Sequence, residues 1–306
     1  MMIRAEKTRM EEVIERKKPR MEHQFLEELL RQKAEIEGTA PADSKKETAL
    51  WVLMFIIGAC LLLYPSISNY INSLRQTQAV MHYADEVARM TDEEHERCLQ
   101  MARDFNQKMA KRKTQWDVLD EETSAEYESL LNFAGTGVMG YIDIPKINVQ
   151  LPIYHGTSES VLQGSIGHIE HTSLPVGGPG THCVLSGHRG LPSAKLFSDL
   201  DLMAENETFT LSILNETYTY EVDQIRTVLP EDTSFLEVVP GKDYCTLVTC
   251  TPYRINTHRM LVRGHRVKNA NGPARLTADA LLLKPVFVAP FIMIPIIIGL
   301  LMTLFL

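Results

Sequence analysis

The stretch "YCTLVTCTPYRINTHRMLVRGHRV", residues 244–267, decides how this chain is read. Strand-forming residues run to Cys250, eight mostly polar residues intervene, and strand-forming residues resume at Arg259. An antiparallel hairpin that sets Cys250 opposite Arg259 also sets Val248 opposite Leu261 and Thr246 opposite Arg263, all on one side. A thiol and a guanidinium then stand together where the strands end and the loop "TPYRINTH" opens. A free cysteine in a strand either packs inertly or, at a rim beside a cation, reacts as a thiolate. By the two-residue period, Cys245 falls on the opposite face and packs inward.

The sequence around this hairpin has the texture of a β domain. From Gly140, "GYIDIPKINVQLPIYHG" alternates apolar and polar residues, with Pro145 and Pro152 as punctuation. "HCVLSGH", "TFTLSIL" and "ETYTYEVDQI" follow, each bounded by turn residues. Such a series predicts a mostly β fold, a closed or nearly closed barrel with short helices rather than βαβ units. One of these strands supplies a base. "LSGHRGLP" puts His188 just past a strand and before a glycine turn, where side chains face a loop-lined cleft. Cys250, His188 and Arg259, each at a strand end, form a candidate catalytic set. The chemistry is acyl transfer through a thioester. A nearby cation favours the thiolate, and His188 exchanges protons with the thiol, the leaving amine and the incoming nucleophile. Arg259 donates to the developing oxyanion or to the substrate backbone. The scheme calls for no cofactor.

These residues resemble the sortase family. "TLVTC", an arginine nine positions on, and "GHRG" upstream carry the resemblance. The wider match runs from about residue 136 to 268, through "GVMGYIDIPKINVQLPIYHGT", "GHIEHTSLPVGG", "SGHRGLPSAKLFSDLDL" and "LVTCTPYRINTHRMLVRGHRV". "HRGLPSAKLF", "TPYRINTHR" and a second apolar segment after the barrel point to class C, the pilin-polymerising sortases. The resemblance implies a sortase-type barrel with His188, Cys250 and Arg259 as its catalytic set. It implies a cysteine transpeptidase that cleaves an LPxTG-like signal between threonine and glycine. The threonine acyl group is held on Cys250 and passed to a pilin lysine, which assembles covalent pili on the surface of a Gram-positive cell. The implied partners are pilin subunits and other LPxTG-type surface proteins. A housekeeping-type sortase that anchors proteins to the cell wall, or a membrane-bound cysteine hydrolase, would use the same dyad with a different acceptor. A catalytically silent membrane scaffold would need none of it.

Thr249 and Arg254 are candidate substrate-cleft residues, Arg254 standing where the family often has glycine. Class C enzymes usually carry a lid with an Asp-Pro-aromatic triplet, and no proline lies between Pro65 and Pro145 here. Residues 114–123, with Trp116 and Asp117, are either an altered lid or a plain linker. As a lid, the segment is expected to be held by the aromatic contact and one charge to Arg259 or Arg254.

Two segments of the 306-residue chain suit a bilayer. "ALWVLMFIIGACLLLYPSI", from Ala49, and "PVFVAPFIMIPIIIGLLMTLFL", from Pro285 to Leu306, carry no charge and are long enough to cross it. The first 48 residues hold eleven Lys and Arg, which predicts a cytoplasmic tail because orientation follows these residues and not net charge. The expected layout is a tail (1–48), a span (49–67), an extracellular helical arm (68–135), the barrel (136–270), a linker (271–284) and a second span (285–306). The catalytic domain then sits on the outer face of the cell membrane. Within the arm, residues 70–112 read as one helix and a short helix follows from Ser124. A net charge of −8 argues against nucleic acid as a partner. His168 and His171, three apart in "GHIEHT", are a weak metal motif and read as ordinary histidines, so no metal is expected. Cys98, Cys183, Cys245 and Cys250 lack any CxxC or regular spacing, which excludes a disulfide framework or zinc ribbon.

Overall fold

The structure, a computed structural model, describes residues 25, 27–33, 44–112 and 115–269, the side chains of residues 44–48 excepted. From Val138 onward, β-branched and aromatic residues alternate with polar ones and eight strands form. They are β1 (Val138–Ile144), β2 (Val149–His155), β3 (Ile166–His168), β4 (Thr181–Gly187), β5 (Thr208–Ile213), β6 (Glu216–Val228), β7 (Asp243–Thr251) and β8 (His258–Val267). These close into a barrel in the order β1-β2-β3-β4-β7-β8-β6-β5. Closure pairs every strand on both sides, so no open sheet edge remains to recruit another chain. The β2–β3 and β4–β7 pairs are parallel and the others antiparallel.

The barrel interior is filled by Ile142, Ile153, Leu185, Phe209, Leu211, Tyr220, Leu247 and Val262, all buried. Phe209 and Tyr220 stack with centroids 5.6 Å apart, a pairing worth about 1 kcal/mol beyond the area it buries. His168 on β3 belongs to this core. It is fully buried, with Nδ1 3.0 Å from Tyr127 Oη and Nε2 2.9 Å from Ser173 O. Among the described residues no cluster could hold a metal ion.

The longer helices are α1 (Ser44–Arg89), α2 (Asp92–Ala110) and α3 (Glu121–Ser129); α4 (Glu159–Leu162) is a single turn. Residues 27–33 are also helical. The chain divides between Cys60 and Leu61 into two units. α1 contains an 18-residue window of mean hydropathy 2.3, none of it buried, and is long and apolar enough to cross a membrane. The expected linker (271–284) and second span (285–306), and most of the tail, lie outside the described residues.

In the second unit, the C-terminal part of α1 packs on the barrel through Val80, Tyr83 and Val87. Tyr83 Oη donates to Met139 O at 2.9 Å and accepts from Leu214 N at 2.7 Å. The single helix expected over 70–112 is in fact two. Thr91 ends the first and caps the second: Glu94 N donates to Thr91 Oγ1 at 3.2 Å, while the Glu94 carboxylate accepts from Thr91 N at 2.8 Å. This capping box is written in the sequence as "TDEE" and competes successfully with helix continuation. α3 likewise starts three residues before the expected Ser124, because Asp120 Oδ1 accepts from Thr123 N at 2.7 Å and caps it.

Candidate active site

β4 and β7 run parallel, so their C-terminal ends reach the same rim of the barrel, and antiparallel β8 starts there. Cys250 pairs across from Arg259, Val248 from Leu261 and Thr246 from Arg263, as the hairpin reading predicts. Ser186 is the β4 partner of Val248. Continued two residues, that register brings His188 level with Cys250 on the neighbouring chain segment, one strand spacing of about 4.8 Å away. The topology thus gathers all three residues on one rim. Cys250 and Arg259 are partly exposed, and the His188 side chain retains 30% of its accessible surface.

Local sequence explains how these side chains are held. A Cβ on Gly187 would come within 2.7 Å of the Phe197 ring, so glycine lets Phe197 pack directly beneath the His188 segment. Gly190 has φ +77°, and a Cβ there would meet the Tyr253 ring at 2.8 Å. The glycines flanking His188 therefore fit it between the core and the loop that follows Cys250. Arg189 reinforces this junction. Its side chain is only 10% exposed, and the guanidinium binds Asp201 at 2.6 Å and lies 5.8 Å from the Tyr253 centroid. α1 braces the loop that follows His188: Asn72 Nδ2 donates to Ser193 O at 2.8 Å, and Asn69 Oδ1 accepts from Lys195 N at 2.8 Å.

Arg259 Nη1 donates to Asn256 O at 3.3 Å and to His258 O at 3.2 Å, which fixes the fork on its own loop. No ion pair to a carboxylate satisfies it among the described residues, so its remaining donors stay available to a substrate oxygen. Glu159 of α4 lies 3.9 Å from His188 Nε2, but its side chain is 72% exposed and the contact is weak.

Below Cys250 and Arg259, the outer face of the sheet is apolar. Val184, Val228, Leu236, Val248 and Leu261 form a separate buried cluster, and Trp116, Ile169 and Phe235 pack against it. Trp116 thus stands on the strand face that carries Cys250, with its centroid 6.1 Å from His171. Its segment is tied by Gln115 Nε2 to Leu236 O at 3.3 Å, and by Arg112 Nη2 to Asp117 O at 2.8 Å. The expected charge contact is not formed: no ion pair joins Asp117 to Arg259 or Arg254, and the backbone carbonyl of Asp117 makes the tie instead. Residues 121–123, at the end of the expected lid, are the first turn of α3.

The two cleft candidates differ in exposure. Thr249 is 1% exposed and its hydroxyl donates to Gly187 O at 2.8 Å, which ties β7 to β4 beneath the rim. It faces inward by the same alternation that turns Cys250 outward. Arg254, exposed and at φ +65°, lies 5.5 Å from the Tyr253 centroid. Cys245 and Cys183 are buried partners on adjacent strands, and burial pushes the Cys245 thiol well above the ordinary range. Arg189 and Tyr253 were not singled out from sequence, although each lies within a motif, "GHRG" and "TPYRINTHR", that was.

Comparison with known proteins finds one family over the barrel. The Sortase domain family model matches residues 142–267. Sortase A of Streptococcus agalactiae serotype III (strain NEM316) is 31% identical over 185 residues, 58% of this chain and 72% of that protein. Among solved structures, sortase C1 from Streptococcus agalactiae superposes with TM-score 0.61 at 55% identity, covering 63% of this chain and 99% of that one. Sortase C from Streptococcus pneumoniae, whose structure bears on catalysis and pilin substrate specificity, gives TM-score 0.57 at 39% identity, covering 65% and 100%.

Proposed function

This chain belongs to the sortase family of cysteine transpeptidases, and from that premise we propose that it is a class C enzyme joining pilin subunits on the cell surface. Sortases are membrane-anchored cell-surface enzymes that act on LPxTG-type surface proteins. One observation carries the proposal. The ends of β4, β7 and β8 bring His188, Cys250 and Arg259 to one rim, above an apolar floor covered by Trp116. The nearness to sortase C1, at 55% identity, supports the class.

In this reading the apolar residues of the sorting signal replace Trp116 on the floor, and residues 115–117 act as a lid. The Cys250 thiolate attacks the threonine carbonyl carbon while Arg259 donates to its oxygen. His188 gives a proton to the glycine nitrogen as the Thr–Gly bond breaks, which leaves a thioester on Cys250. A pilin lysine amine then attacks the thioester and loses a proton to His188. The C–S bond breaks, Cys250 leaves as thiolate, and an isopeptide bond remains.

Incubating the full chain in detergent with an LPxTG-type peptide and a pilin subunit tests this. The expected product joins the threonine carbonyl to a lysine Nζ. Free threonine acid as the sole product makes the protein a hydrolase. Transfer to a cell-wall peptide amine, with pilin refused, makes it an anchoring enzyme.

A further inference from the structure

We infer that this protein has a second binding site, for a small organic anion bearing a phosphate or carboxylate group, at the barrel end opposite Cys250. A cavity of about 410 Å³ lies there between α2 and the barrel. Its chemistry comes from Arg103 and Asn106 on α2, Tyr218 on β6, Asp243 on β7, Arg266 on β8, and the "GGPG" loop, residues 177–180. Asp243 begins β7 and Cys250 nearly ends it, so about 23 Å of extended strand separates this cavity from the thiol.

Two observations point to an anion. First, the cationic side chains are not neutralised where they stand. Arg266 forms no ion pair among the described residues, and Arg103 pairs with Glu96, at 3.1 Å on the exposed side of α2, while its charge also reaches the Tyr218 hydroxyl oxygen. The one carboxylate in the cavity is already engaged: Asp243 accepts from Gly178 N at 2.8 Å, Tyr220 Oη at 3.0 Å and Thr181 Oγ1 at 3.4 Å. Those bonds shape the loop. Second, the cavity contains donors without acceptors. Tyr218 is 6% exposed, and among the described residues no acceptor meets its hydroxyl proton or Arg266 Nη1. Buried unpaired donors are costly, and one oxyanion between them satisfies both.

The site is also preorganised. The Arg266 guanidinium stacks 4.6 Å from the Tyr218 centroid and 5.8 Å from that of Tyr220, and Nη2 donates to Thr217 O at 3.3 Å. Gly177, at φ +59°, sits against Asp243 and the Tyr218 ring where a Cβ would come within 2.9 Å of Asp243 Oδ2. Burial keeps the Tyr218 phenol protonated, so it serves as a donor. Arg103, whose side chain is 37% exposed, is the movable member that can swing onto a bound anion.

The test is thermal unfolding of the full chain in detergent, in a phosphate-free buffer with ionic strength held constant by chloride. Inorganic phosphate is titrated in one arm and acetate in the other. A saturable rise in Tm with either anion, weakened at least tenfold in both Arg103→Gln and Arg266→Gln, is the expected result. The stronger arm identifies the group as phosphate or carboxylate. No saturable rise in either arm, or equal rises in wild type and Arg103→Gln, overturns the proposal. Arg103 is exposed enough for that variant to fold, so the test stands even if Arg266→Gln does not. Tyr218→Phe removes only the hydroxyl and should also weaken the response.

Discussion

Cys250 and Cys245 are five residues apart on one strand, and that odd spacing gives them opposite fates. Cys245 is sealed in the barrel with its thiol pushed up by burial, whereas Cys250 ends on the rim. We predict that Cys183→Ala and Cys245→Ala retain transpeptidation, while Cys250→Ala abolishes both cleavage and acyl-enzyme formation. The arginine is a second case. Arg259→Lys keeps the charge but loses the planar fork that two loop carbonyls hold in place. Turnover should fall at least about tenfold, and a near wild-type rate would reduce Arg259 to a diffuse charge. Tyr253 belongs at this scale too. Tyr253→Ala removes the ring that Arg189 and Gly190 pack against, so kcat should drop several-fold with KM little changed, and Tyr253→Phe should restore it. The candidate catalytic residues were legible in sequence because each sits beside a motif at a strand end. Arg189 and Tyr253 were not, because their meaning lies in a contact between residues 64 positions apart that no local pattern encodes.

Elements were legible in proportion to how local their causes are. β4 to β8 follow from alternation, whereas β3 does not: its three residues are a strand only because β2 and β4 lie on either side. The break between α1 and α2 was locally encoded and still missed, since uninterrupted helical periodicity obscured the Thr91–Glu94 box. Thr91→Ala should destabilise the chain by about 1 kcal/mol, read from a denaturant midpoint. The segment carrying Trp116 is held by that ring and three hydrogen bonds to backbone carbonyls, with no ion pair from Asp117 among the described residues. We therefore predict that Trp116→Ala speeds modification of Cys250 by a small thiol reagent only several-fold; a hundredfold release would mean a tight cover.

His182 couples β4 to the rest by contacts to Thr246 Oγ1 at 2.7 Å and Glu237 O at 2.9 Å. Burial lowers its pKa from 6.5 to about 4. The unfolded chain takes up this proton first, so stability is full above pH 6.5 and is lost as pH falls toward 4, by roughly 3 kcal/mol for this group. His182→Gln should flatten that part of the stability–pH curve, measured by urea unfolding; an unchanged slope would contradict it.

At the scale of the molecule, the site is a consequence of closure. The β1–β5, β4–β7 and β6–β8 pairings join strands distant in sequence, so strand order could not be read from alternation even though the barrel could. Only this order puts the ends of β4 and β7 side by side. The apolar stretch of α1 and the Lys and Arg of the first 48 residues set the expected topology, with the tail inside and the barrel outside. Single cysteines in tail and barrel, probed on intact cells with an impermeant reagent, should label in the barrel alone. The most direct test of the whole account is to trap the full chain with a sorting-signal peptide, digest it, and locate the acyl adduct by mass spectrometry. The account predicts a threonine thioester on Cys250 that disappears when a pilin lysine is supplied. An adduct on Cys183, Cys245 or any other residue, or none under conditions of active cleavage, would contradict it.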